Sequence, residues 1–178
     1  MTRRSFPLAK VYGLLEPGPV VLLTTRQQDR IDVMTQSWHT MLEFEPPQIA
    51  VVIGNLSASY DMLKATRECV IAIPTVELLD AVVGCGNTSG RKVDKFARFG
   101  LTAADARQVA APLIEECWAN LECRVIDTRM VNRYGLFVLE VVQAWTDPAW
   151  KDPRTLHHRG NGRFMVAGET IKSKSRMK

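Results

Sequence analysis

Long apolar runs are missing from this chain. The longest, such as Ile49–Ile53 and Leu136–Leu139, fall far short of the roughly 20 residues a spanning helix needs, so no membrane insertion is expected. Metal-binding patterns are also missing. Four cysteines (Cys69, Cys85, Cys117, Cys123) contain no Cys-x-x-Cys pair, and the three histidines (His39, His157, His158) do not combine with them at a zinc-like spacing, so no metal is expected. Met1–Lys10 is polar and basic with no apolar stretch behind it, which points away from a secretory leader and toward reduced thiols in the cytoplasm. Neither a Gly-x-Ser-x-Gly elbow, a Walker loop nor a Gly-x-Gly-x-x-Gly fingerprint occurs, and no cysteine has a recognisable His and Asp set beside it. Nucleophilic catalysis and the common nucleotide-binding loops therefore find no support.

What is present is an ordinary globular composition. The 178 residues are 46% apolar and 24% charged, enough for one domain whose core needs no staple. The net charge of +4 suggests a polyanionic partner until it is located. Residues 1–150 hold 15 basic and 17 acidic side chains, whereas residues 151–178 hold 8 basic and 2 acidic. The body is slightly acidic, so nucleic-acid binding is not expected. The chain reads as one domain over residues 1–170 followed by a basic tail, 171–178, expected to fray or pack on a partner.

Val20–Thr25, entered through Pro17-Gly18-Pro19, and Ile31–Met34 read as two strands joined by a polar hairpin at Gln27–Arg30. Pro46-Pro47 precedes a buried strand at Gln48–Ile53, and Ser57 or Ser59 caps a helix running to Ala65. Cys69–Ile73 is a further strand. A helix over Thr75–Val83 is expected to end at Gly84-Cys85-Gly86, and a second to open at Ser89–Lys92 and stop at Phe99-Gly100. Glu116–Thr128 and Tyr134–Trp145 read as long antiparallel strands connected by Met130–Arg133. Six or seven strands with short inserted helices describe a mainly β fold, a small barrel, better than a βαβ sheet.

Three segments could carry chemistry. In Asp32–Trp38 a strand runs into small polar side chains and an aromatic, which fits either a polar turn with a core Trp or the polar edge and face of a heterocycle. Ser57-x-Ser59-Tyr60 offers hydroxyls and helix-start N–H groups, either as a cap or as an anion site. Ser89-Gly90-Arg91-Lys92-x-x-Lys95 places three cations at the start of the expected helix, against its dipole; a phosphate would relieve the conflict, and a solvated face would equally account for it. Cys85 between two glycines is either exposed and reactive or simply small, and Cys117 and Cys123 are expected to share one core face.

The ordered segments 17–25 (Pro-Gly-Pro-Val-Val-Leu-Leu-Thr-Thr), 32–38 (Asp-Val-Met-Thr-Gln-Ser-Trp), 46–53 (Pro-Pro-Gln-Ile-Ala-Val-Val-Ile), 68–74 (Glu-Cys-Val-Ile-Ala-Ile-Pro) and 88–96 (Thr-Ser-Gly-Arg-Lys-Val-Asp-Lys-Phe) resemble the flavin reductase-like family, and within it the flavoredoxin branch. The resemblance spans about residues 15–167 and implies an FMN-binding split β-barrel working as a homodimer, with flavin near the interface. It implies that Met34, Thr35, Gln36, Ser37 and Trp38 line the flavin ring, and that Ser57, Ser59 and Tyr60 bind ribityl and phosphate groups. Ser89, Gly90, Arg91 and Lys95 would serve the phosphate or the ring's polar edge, and Phe164 would approach from the C-terminal side. Asp32 stands where this branch often has Asn. Tyr134 stands where an active-site His is common, which makes it the candidate catalytic group. The implied activity is NAD(P)H-dependent flavin reduction, with NADH or NADPH as donor and a small molecule or redox protein as acceptor. The alternative is an electron carrier that holds FMN tightly and does not react with NAD(P)H.

Overall fold

The structure, a computed structural model, describes residues 3–15 and 18–174; Pro17 of the expected strand entry and residues 175–178 of the tail lie outside the described residues. Twelve strands form: β1 (Arg4–Ser5), β2 (Val21–Gln27), β3 (Arg30–Gln36), β4 (His39–Phe44), β5 (Pro47–Val52), β6 (Glu68–Ile73), β7 (Ala103–Ala104), β8 (Leu113–Ile114), β9 (Ala119–Asp127), β10 (Leu136–Thr146), β11 (Leu156–His158) and β12 (Phe164–Val166). Among the described residues five short α-helices accompany them: α1 (Tyr12–Leu15), α2 (Ala58–Thr66), α3 (Leu79–Asn87), α4 (Lys95–Phe99) and α5 (Val131–Tyr134).

The main sheet is antiparallel in the order β3-β2-β6-β9-β10-β5-β4, with β1 added to β10. Its two end strands, β3 and β4, are consecutive in the chain and separated only by Ser37-Trp38. They do not pair along their length, which leaves the barrel split, but Gln36 closes one corner. Its Nε2 donates to the Val52 carbonyl at 2.6 Å, its Oε1 accepts the Trp38 N–H at 2.5 Å, and the Val52 N–H donates to the Trp38 carbonyl at 2.9 Å.

Both faces of the central strands are covered, which is why they read as continuous apolar runs rather than alternations. The period of two still sorts them: Val21 and Leu23 point into the main core with Ile71, Leu121 and Phe137, whereas Val20 and Leu22 point to a second core under α3 and α4. Each fully buried Leu or Ile contributes about 1.5–3 kcal/mol of transfer free energy. Cys123 faces the first core and Cys117 the second, so the expected shared face is corrected: Cys117 precedes β9 and is not in register with it.

Two helix boundaries also need correction. Gly84 and Gly86 do not end a helix; they lie inside α3, and a Cβ on Gly84 would sit 2.3 Å from the Phe99 ring. The glycine is there so that α3 and α4 can touch. The helix expected to open at Ser89 starts at Lys95, with the Asp94 carboxylate accepting the Ala97 N–H at 3.1 Å as its cap. Arg91 and Lys92 thus lie in the preceding turn, which leaves Lys95 as the one cation of the three inside the helix, its ammonium paired with Asp32. β4 and the β11–β12 hairpin were not anticipated at all.

Candidate functional site

A groove runs between β3 and α3. One half, about 370 Å³, is lined by Val20, Ser37, Val82, Val83, His158, Gly162 and Phe164. The other half, about 250 Å³, is lined by Asp32, Met34, Ser57, Thr88, Ser89, Gly90 and Lys95. Thr35, Gly86 and Asn87 border both halves, so the two lie side by side. Its size is that of a small-molecule site.

The sequence explains the shape. β3 presents Met34 and Thr35 beside one another at its end, and the Thr35 hydroxyl donates to the Val82 carbonyl at 2.5 Å, strapping α3 to the strand. Gly86 lies beside the same threonine, where a Cβ would meet Thr35 at 3.4 Å, an ordinary contact. At the polar end, Ser57 caps α2 by accepting the Tyr60 N–H at 3.0 Å, and the first-turn N–H groups of a helix have no carbonyl of their own to bind.

The Ser89–Arg91 turn is clamped from three sides. Arg30 donates to the Gly90 carbonyl at 2.6 Å, and Arg91 reaches across to the Asp61 carboxylate at 2.5 Å and the Ser57 carbonyl at 3.3 Å. Beneath the turn, Asp32 and Lys95 form a buried pair at 3.4 Å. Lys95 Nζ also donates to the Val33 carbonyl at 2.6 Å, and the Ser59 hydroxyl donates to Asp32 Oδ2 at 2.7 Å. Gly90 is required by this closeness: a Cβ on it would fall 1.9 Å from Asp32 Oδ1.

Of the residues singled out in the sequence, Met34, Thr35, Ser37, Ser57, Ser89, Gly90, Lys95 and Phe164 come together along the groove. The others are placed elsewhere. Gln36 is the corner clasp, Ser59 is buried against Asp32, and Arg91 lies on α2. The Tyr60 ring is in the main core, edge-on to Phe137 with centroids 5.6 Å apart. Trp38 is 72% exposed. Tyr134 is half-exposed beneath the Arg133 guanidinium and lines neither half of the groove.

Cys85 borders the groove but is buried, and burial pushes its thiol up to about 11, with nearby Lys95 opposing and Asp32 adding to the shift. The exposed, reactive alternative for this cysteine is therefore overturned. Among the described residues no group of three or more His, Cys, Asp and Glu side chains is placed to hold a metal ion. No helix among them is long and apolar enough to cross a membrane.

Sequence reasoning missed Val82, Gly86 and Asn87 of α3, and His158 and Gly162 of the last hairpin. The signal for α3 is the spacing of Ala81, Gly84 and Cys85, small residues that suit a closely packed helix as well as a turn.

The family model described as flavin reductase like domain matches residues 14–165. An uncharacterised protein of Escherichia coli K12, YddH, is 33% identical over 172 residues, covering 89% of this chain and 91% of its own. Among solved structures, an FMN-binding domain of a flavin reductases-like enzyme from Shewanella baltica OS155 superposes with a TM-score of 0.90 at 29% identity, over 97% of this chain and 98% of that one. The flavoredoxin of Desulfovibrio vulgaris (Miyazaki F) shares the fold, with a TM-score of 0.80 at 23% identity over 88% of this chain and 90% of its own.

Proposed function

The chain belongs to the flavin reductase-like family, and from that membership we propose that the groove between β3 and α3 holds FMN and that the protein is an oxidoreductase passing electrons from a nicotinamide donor to an acceptor. The observation that carries this reading is a pair of adjoining pockets: one sets Val82 and Phe164 beside the polar Ser37 and His158, and the other carries the hydroxyls of Ser57, Thr88 and Ser89. A flat ring with polar edges and a phosphate-bearing tail matches that pair.

When bound, the isoalloxazine ring supplies the redox chemistry. The residues of the chain supply placement. Thr35 and Val82 tie α3 to the end of β3, Phe164 lines the pocket for the ring, and Ser57 with Ser89 offers hydrogen bonds to the tail. With the candidate Tyr134 outside the groove, no side-chain acid is assigned to the reaction. Four buried free thiols fit a reducing, cytoplasmic setting.

The same reading includes a homodimer. Trp38 and Leu42, 72% and 51% exposed, stand at the outer edge of the sheet, beside and on β4. An open sheet edge carrying large apolar side chains is a surface that a second copy would cover.

Flavin titration followed by fluorescence quenching tests the reading: saturable FMN binding supports it, and its absence overturns it. NADH and NADPH oxidation with added flavin then separates a reductase, which turns over, from an electron carrier, which does not without a partner.

A further inference from the structure

We propose that Asp32 holds the polar end of the groove near electroneutrality, making it the residue that sets how strongly FMN is preferred over riboflavin. This rests on the flavin reading above. The cation lining that end is Lys95, but its ammonium is buried, 3.4 Å from Asp32 Oδ1, and already donates to the Val33 carbonyl. Asp32 is itself buried and is held in place by the Ser59 hydroxyl on its other oxygen. Two opposite charges at that separation largely cancel at the distance of a groove ligand. The second cation of the corner, Arg91, is matched in the same way by Asp61. Arg30 keeps its charge, but it is turned onto the Gly90 carbonyl and, like Lys92, lines a neighbouring pocket rather than this one.

A phosphate entering here meets hydroxyl groups rather than a free positive charge. Ser57, Thr88 and Ser89 offer those hydroxyls, while the Asp32 carboxylate lies directly under Gly90. Removing the carboxylate's charge while keeping its shape leaves Lys95 uncompensated and turns the groove toward anions.

The test measures dissociation constants for FMN and riboflavin, by fluorescence quenching, in the wild type, Asp32→Asn, Lys95→Met and the double variant. Asp32→Asn binds FMN about tenfold more tightly, with riboflavin affinity unchanged. Lys95→Met, which leaves the carboxylate bare, weakens FMN selectively, and the double variant returns to within about threefold of the wild type because both charges leave together. FMN affinity that is unchanged or weaker in Asp32→Asn while riboflavin still binds overturns the inference. So does a double variant as weak as Lys95→Met, and that comparison decides the matter if Asp32→Asn alone does not fold. Failure of the wild type to bind either flavin overturns the flavin reading itself, and this inference with it.

Discussion

Thr35 and Val82, 47 positions apart, are joined by a 2.5 Å hydrogen bond from hydroxyl to carbonyl, which ties α3 to the end of β3 where the groove lies. Thr35→Val keeps the shape and removes the donor. Stability is expected to fall by about 1 kcal/mol, in the range of a partly buried hydrogen bond. If that loss appears in binding, groove-ligand affinity drops roughly fivefold. Urea denaturation with and without FMN measures both.

Gly90→Ala pushes a methyl into the Asp32 carboxylate, and the neighbour is a buried, ion-paired group rather than the loose end of a flexible chain. The Ser89–Arg91 turn must lift. A cost of about 1–3 kcal/mol is expected, the usual range for forced overpacking, together with faster proteolysis at this turn. Unchanged stability and an unchanged digestion pattern would contradict the closeness described between loop and carboxylate.

Tyr60 separates core from site. Because its ring packs on Phe137 and not in the groove, Tyr60→Phe should leave FMN affinity within about twofold of the wild type. Tyr60→Ala should lower unfolding stability by about 3–5 kcal/mol, as for other large buried aromatics. A selective loss of FMN binding in Tyr60→Phe would instead put the phenol in the site.

The Cys85 thiol titrates near 11 when folded, against about 9 when exposed, so the unfolded chain ionises first. Its contribution to stability is complete below about pH 9 and is lost as pH rises from there toward 11. Burial shifts Cys117 and Cys123 in the same direction. Alkylation by iodoacetamide at pH 8 should be slow in the folded protein and fast in urea. Cys85→Ala should flatten part of the alkaline fall in stability.

The strands were legible because burial on one or two faces writes itself into apolar periodicity: Val21–Gln27, Glu68–Ile73 and the β9–β10 pair lie within a few residues of their expected places. β4 was not, since its exposed positions carry Leu42 as well as Thr40, so polarity does not follow the alternation of burial, and its partner β5 follows after a tight turn. At the site, the hydroxyls of Ser57 and Ser89 and the polar end of β3 could be read from local chemistry alone. The wall formed by α3 could not. Whether Gly84 and Gly86 break a helix or sit inside one depends on packing partners such as Phe99, distant in sequence. In the same way, the charge of Lys95 could be counted from the sequence, but its cancellation by Asp32, 63 positions earlier, is a property of the folded chain.

Those two glycines also have a dynamic consequence. A nine-residue helix that carries both has little tendency to form on its own, each glycine costing about 1 kcal/mol against alanine. The helicity of α3 is therefore borrowed from the surfaces around it, and whatever fills the groove becomes one more such surface. Amide hydrogen exchange along Leu79–Asn87 should slow on ligand addition well before the central strands respond, which makes this helix the part of the molecule that reports occupancy.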